Sequence, residues 1–132
     1  MSYALSKTVD LSYDEAVAAT KAALQEQGFG VLTEIDMKST LKAKIDADIP
    51  PQIILGACRP PLAKRALELD PSIGTLLPCN VVVREDGAGN TLVEAMDPDS
   101  MVGFTGNEAL HEVSDEAKRR IQGALDALPA KA

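Results

Sequence analysis

Two short aliphatic runs bracket a proline-opened helix between Gln52 and Glu85. The first, Gln52-Ile-Ile-Leu-Gly-Ala57, lacks polar alternation, so as a strand it must be covered on both faces. The second, Cys79-Asn-Val-Val-Val-Arg-Glu85, puts Val81 and Val83 on the face of Cys79. Between them, Pro60 and Pro61 suit the first turn of a helix, where an amide hydrogen would have no intrahelical partner anyway. Leu62, Ala63, Ala66 and Leu67 give that helix one apolar stripe, and Asp70-Pro71 stops it. Gly56, inside the first run, predicts close approach of another backbone.

The flanking sequence supplies the rest of a layer structure. Tyr3 to Val9 alternates as a half-exposed strand. Ser12-Tyr-Asp-Glu15 has the spacing of a capping box, and the helix it opens runs to about Gln27, with Gly28 as the left-handed residue beyond its end. Phe29 to Ile35 reads as a second strand, with Phe29, Val31, Thr33 and Ile35 on one face. Asp36 opens a short helix in which Met37, Leu41 and Ile45 are expected to point inward and Lys38, Lys42 and Lys44 outward. Pro50-Pro51 ends that unit. After Glu85, the Asp86–Asn90 loop has hairpin length, and Thr91 to Asp97 returns as a strand. Pro98 to Gly106 reads as irregular, and Thr105-Gly-Asn-Glu108 as a second capping box before a last helix that buries Leu110, Val113, Ala117, Ile121 and Leu125.

This order predicts an α+β fold in one domain, residues 1–132. It would be a two-layer sandwich: one mixed or antiparallel sheet of about five strands, with helices packed on one face. Glu34 and Glu94 on strands imply that part of the other face is wet.

Composition narrows the function classes. Hydrophobic residues at 45% and charged residues at 25% fit a folded domain. Aromatics at 3%, with no Trp, make the core aliphatic and leave no platform for stacking bases. A net charge of −7 repels a phosphate backbone, so nucleic acid is not an expected partner. No apolar run reaches the length of a membrane span, so no membrane partner is expected either. Met1 to Asp10 has no basic region followed by an apolar run, so no signal peptide is expected. A cytoplasmic acidic protein with reduced thiols is the resulting expectation.

Cys58 is the first candidate for chemistry. It stands just ahead of the helix that begins at Pro60, with Arg59 beside it and Lys64 about one turn on. Helix amides and cations favour thiolate over thiol. The ordinary reading of such a thiol is a small buried hydrophobe on a core strand. Cys79 is the second candidate, since neighbouring strands would bring the two sulfurs together as a redox pair. His111 is the only histidine and lies off the inward stripe of its helix, so no metal site and no cofactor are expected. The segment from Lys38 to Arg65 is basic in an acidic chain, with Arg59, Lys64 and Lys38, together with Asn80, as candidate ligand-binding residues for a small anion. Asp36, Glu34, Asp97 and Glu94 could serve acid–base work only if the fold paired them. No phosphate-cradling glycine pattern occurs.

The run Gly56-Ala-Cys58-Arg-Pro60, followed by Ala63, Ala66-Leu67, Pro71, Gly74 and Leu77-Pro78-Cys79-Asn80-Val-Val-Val83, resembles the family called domain of unknown function 302. Gly28-Phe29-Gly30, Glu34-Ile35-Asp36, Pro50-Pro51 and Asp97-Pro98 are similar to it as well. The resemblance implies a small bacterial or archaeal two-layer protein, similar in outline to half of a TATA-binding protein and usually homodimeric. It implies no established activity and carries over no catalytic residues. The expected function is a homodimeric small-ligand or anion-binding module without familiar catalysis. The alternative is a thiol-dependent sulfur-transfer or redox protein using Cys58, and whether the chain is an enzyme stays open.

Overall fold

The computed structural model describes residues 3–132; Met1 and Ser2, which begin the stretch read for a signal peptide, lie outside the described residues. The elements in chain order are β1 (Ala4–Val9), α1 (Tyr13–Glu26), β2 (Gly30–Asp36), α2 (Met37–Ile45), β3 (Gln52–Cys58), α3 (Pro60–Leu69), β4 (Cys79–Glu85), β5 (Thr91–Met96), α4 (Ser100–Thr105) and α5 (His111–Asp126). Short 3-10 turns span Pro71–Leu76 and Glu108–Leu110. The five strands form one sheet in the order β1-β5-β4-β3-β2, and every neighbouring pair is antiparallel.

The expected α+β sandwich is present, with its sheet wholly antiparallel. Alternation along the strands puts Leu55, Ala57, Val81, Val83, Val93 and Ala95 on one face, all buried. α1 brings Ala16, Thr20, Ala23 and Leu24 to this core, and α5 brings Ile121, Ala124 and Leu125. α1 starts where its capping box dictates: Ser12 Oγ accepts from Glu15 N at 3.2 Å, and Glu15 Oε1 accepts from Ser12 N at 3.1 Å. Lys7 reaches from β1 under the end of α5, where its ammonium donates to the carbonyls of Leu125 at 2.9 Å and Leu128 at 2.6 Å. A cation there complements the partial negative charge at the C-terminal end of the helix.

A second, smaller cluster lies beside the first. Ala66, Ile73, Met101, Val102, Leu110 and Val113 are buried together, with Leu62, Leu69, Leu76 and Leu77 packed against them. These residues come from α3, the turn after it, α4 and the start of α5.

Four expectations change. In β2 the register shifts between Val31 and Thr33, so Val31 faces Ala57 while Thr33 faces Gly56 and Ile35 faces Ile54. The bulge turns Thr33 and Ile35 away from the helix side. Gly56 admits this approach by side chains, since a Cβ there would run into Thr33 Oγ1 and lie 2.9 Å from Pro78 Cγ. Glu34 therefore lies on the helix side, where Lys21 of α1 holds it at 2.8 Å. α2 buries no residue, and Ile45 is 69% exposed: the helix packs lightly against β2 and β3 and adds nothing to the buried core. The stretch after Pro98 forms α4, and Asn107, not Thr105, caps the 3-10 turn that leads into α5, accepting from Ala109 N at 3.1 Å.

The face away from the helices stays open. Glu94 sits near its middle, accepting from Arg84 Nε at 2.6 Å and from Ser6 Oγ at 2.8 Å. The Arg84 bond, with help from Ser6 and against some burial, holds the Glu94 carboxyl below its ordinary value of 4.5. Ile54, Val82, Leu92 and Met96 surround this network half-buried, and Tyr3 and Ile35 are exposed at its rim.

Leu55→Ala is expected to cost about 2–5 kcal/mol in urea unfolding, because Leu55 is 0% exposed. Ile45→Ala is expected to shift stability by less than about 0.5 kcal/mol, and a large loss there would contradict the outward placement of α2. A depressed carboxylate stabilises above its unfolded pKa, and that contribution disappears as pH falls through the lower folded value. The stability difference between wild type and Glu94→Gln should therefore be about 1 kcal/mol at neutral pH and shrink towards zero in acid, read from urea midpoints across pH.

Candidate functional site

The two apolar clusters meet at a cavity of about 30 Å³. The sheet side supplies Phe29, Ala57 and Cys79; the second cluster supplies Leu62, Ala66 and Met101. Cys58 and Arg59 contribute to the wall where β3 passes into α3. Ala57 pairs with Cys79 in the β3–β4 ladder, which fixes both on the helix side. The next residue, Cys58, lies beyond the last β3–β4 pair and in the same cavity wall.

The thiols differ. Cys79 is buried, and burial, with a smaller contribution from the charge of Cys58, pushes its pKa up to about 11. At neutral pH it is a protonated, nearly apolar group. Cys58 is half-buried.

The start of α3 offers few donors. Pro60 and Pro61 have no N–H, and the amides of Leu62 and Ala63 both donate to the carbonyl of Arg59 at 3.0 Å. Neither a thiolate nor a free anion finds a row of open helix amides here. Arg59 supplies the remaining positive charge. Its guanidinium lies against Gly28, whose φ of 83° and lack of a side chain leave room for it; a Cβ would collide with Arg59 Nη1. Arg59 Nε is 3.5 Å from Glu116 Oε2, which also accepts from Arg120 Nε at 2.9 Å. Arg120 in turn donates to the Gln27 carbonyl at 3.2 Å, closing the end of α1. These two cations, Arg120 first, hold the Glu116 carboxyl below the usual range.

Of the six residues singled out from sequence, Cys58, Cys79 and Arg59 share this cavity and the other three do not. Lys64 is exposed on α3 and pairs with Glu68 at 3.6 Å. Lys38 donates to the Ile49 carbonyl at 2.8 Å and lines a cleft of about 400 Å³ with Tyr13, Asp36 and Glu85, at the other end of β2 and β3. Asn80 is on the open face, in a shallow groove of about 390 Å³ with Tyr3, Gln52 and Arg84. Asp36 is occupied capping α2, accepting from Ser39 N at 2.9 Å, and Asp97 accepts from Lys118 at 3.2 Å. Among the described residues, no group of three or more His, Cys, Asp or Glu side chains could hold a metal ion. No helix among them is long and apolar enough to cross a membrane.

Phe29, Met101 and Glu116 were not foreseen as site residues. Phe29 adjoins the Gly28 that Arg59 covers, a local signal in hindsight. The Arg59–Glu116 contact joins residues 57 apart in sequence and leaves no pattern in the chain.

A family model described as domain of unknown function DUF302 matches residues 5–128. The crystal structure of an uncharacterized conserved DUF302 protein from Bacillus stearothermophilus is similar over 97% of this chain and 99% of that one, with a TM-score of 0.90 and 28% sequence identity. No functionally curated protein matches. The match over nearly the whole chain, with a fold shared end to end, places this protein in the DUF302 family.

Proposed function

We propose that the protein is a homodimeric binding module for a small ligand with an apolar body and at most one anionic group. The observation that carries this reading is the cavity between the two clusters, whose wall is apolar apart from two thiols and one guanidinium. The apolar body would fill the space between Ala57, Cys79 and Leu62, and a carboxylate would exchange Glu116 for itself on Arg59. A larger polyanion is disfavoured, because Lys64, Lys38 and Asn80 do not converge with Arg59 and the prolines of α3 withhold their amides. Thiol chemistry is also disfavoured, because burial holds Cys79 protonated and the neighbouring Cys58 opposes its ionisation further.

A second copy of the chain is the natural occupant of the open face. Five strands about 4.8 Å apart and about 20 Å long make a face of roughly 500 Å² in projection. Two such faces approach the roughly 1,000 Å² that a specific interface needs. The Arg84–Glu94 pair is already neutral as a unit, so a two-fold partner meets no uncompensated charge in the middle.

In nitrogen–proton NMR spectra, short-chain carboxylates and alcohols of equal length should shift amides around Phe29, Ala57 and Cys79. Arg59→Gln should weaken carboxylates about tenfold and leave the alcohols unchanged. No shift with any member of either series would count decisively against the site. For the dimer, light scattering on eluted protein should give twice the chain mass for wild type and a single chain mass for Val82→Asp, with wild-type monomer as the overturning result.

A further inference from the structure

We propose that α3 is the door of the cavity, swinging as a unit with the 71–76 turn and latched to α5 by two ion pairs. The proposal takes from the binding reading only the reason for a door, namely that something must enter. The cavity, at about 30 Å³, is roughly one-fifth of a void of about 150 Å³ that admits benzene. A ligand of more than a few atoms therefore needs one wall to move.

The wall on the sheet side is fixed. Ala57 and Cys79 face each other in β3 and β4, which are hydrogen-bonded on both sides within the sheet and buried under the main core. The α3 wall is built differently. Within α3 only Ala66 is fully buried, and its apolar partners belong to the second cluster. The chain enters the moving unit through Arg59 and leaves it, after the turn, through Leu77, both in extended conformation, so both ends have residues able to absorb a rotation. Three polar ties hold α3 shut. Arg65 Nε bonds Glu112 Oε2 at 2.6 Å, Arg59 Nε lies 3.5 Å from Glu116 Oε2, and Asn107 Nδ2 donates to the Leu69 carbonyl at 3.3 Å. The Arg65–Glu112 pair is exposed, where water and salt weaken it, while the Arg59–Glu116 contact is part-buried and long. Opening α3 breaks these ties and uncovers the second cluster while leaving the sheet and its helices packed, so it should cost less than global unfolding.

Cys79 is the built-in reporter, since it is buried in the wall that the door covers. In a Cys58→Ser background it is the only thiol. Its alkylation by excess N-ethylmaleimide under native conditions should proceed faster than global unfolding allows, with a urea dependence much shallower than that of the whole chain. Glu112→Gln removes only the Arg65 tie and should speed labelling about two- to fivefold, as should raised sodium chloride in the parent. Glu94→Gln, on the far face, should leave the low-urea rate unchanged. Labelling that follows the full urea slope of unfolding, or that ignores both Glu112→Gln and salt, overturns the door. Amide exchange of α3 in the unaltered protein provides the second reading: protection equal to that of β4 overturns it as well. No ligand enters these measurements, so their failure leaves the binding site standing with another entrance, and a failed ligand series leaves the door standing.

Discussion

The antiparallel pairing of β3 with β4 is the constraint on which the rest of the molecule depends. It brings Leu55 beside Val81 and Ala57 beside Cys79 on one face, and β5 adds Val93 and Ala95. Each fully buried Val or Leu contributes about 1.5–3 kcal/mol relative to exposure, so this stripe is a large part of what holds α1 and α5 against the sheet. Its end sets the place of the cavity. Where the ladder stops, β3 turns immediately into α3, and the two prolines commit the chain to a helix that leaves the sheet surface. The helix and the turn after it cannot join the main layer and instead pack around Ile73, Met101 and Leu110 as a cluster of their own.

Electrostatics at that junction decides between chemistries that look alike in sequence. A cysteine before a helix, next to an arginine, suggests a stabilised thiolate. The stabilisation needs donors, however, and two of the first amides are proline nitrogens while the next two are spent on the Arg59 carbonyl. The guanidinium is drawn towards Glu116, which a second arginine also holds. The buried member of the thiol pair moves the wrong way for nucleophilic work, because desolvation penalises its charged form and the neighbouring Cys58 adds to that penalty. An apolar cavity with one exchangeable cation is what remains.

Much of the architecture was legible because it rests on local rules. The Ser12–Glu15 box, the left-handed Gly28, the proline opening of α3 and the loop between β4 and β5 each follow from a few adjacent residues, and each is found where the spacing put it. The failures share a cause, which is that they depend on partners distant in sequence. β2 alternates correctly as a string, yet one bulge reverses the faces of Thr33 and Ile35 and moves Glu34 beside Lys21. Met37, Leu41 and Ile45 have helical spacing but none is buried: Met37 and Leu41 stay half-buried and Ile45 is exposed, because α2 packs only lightly against β2 and β3. Within the site, Cys58, Arg59 and Cys79 were visible as a group, since the strand–helix–strand order joins them. Asn80 follows Cys79 directly but points to the opposite face, a consequence of alternation that its adjacency concealed.

The cavity itself would mean little without its position. At about 24 cal/mol per Å³, a void of about 30 Å³ costs about 0.7 kcal/mol, a loss that a domain of this size tolerates. A packing flaw of that cost could lie anywhere in a core. This one lies where two separately packed clusters face each other, with small residues (Ala57, Ala63, Ala66 and Ala117) on both sides of the gap. One added methyl group on any of them would go some way to closing it. The gap also ends at the side chain that holds the only cationic group in its wall, and that group is tied to a carboxylate it can exchange. Small residues on opposite walls, a boundary between packing units and an ion pair on the one cation of the wall are three independent features, and they coincide at one seam.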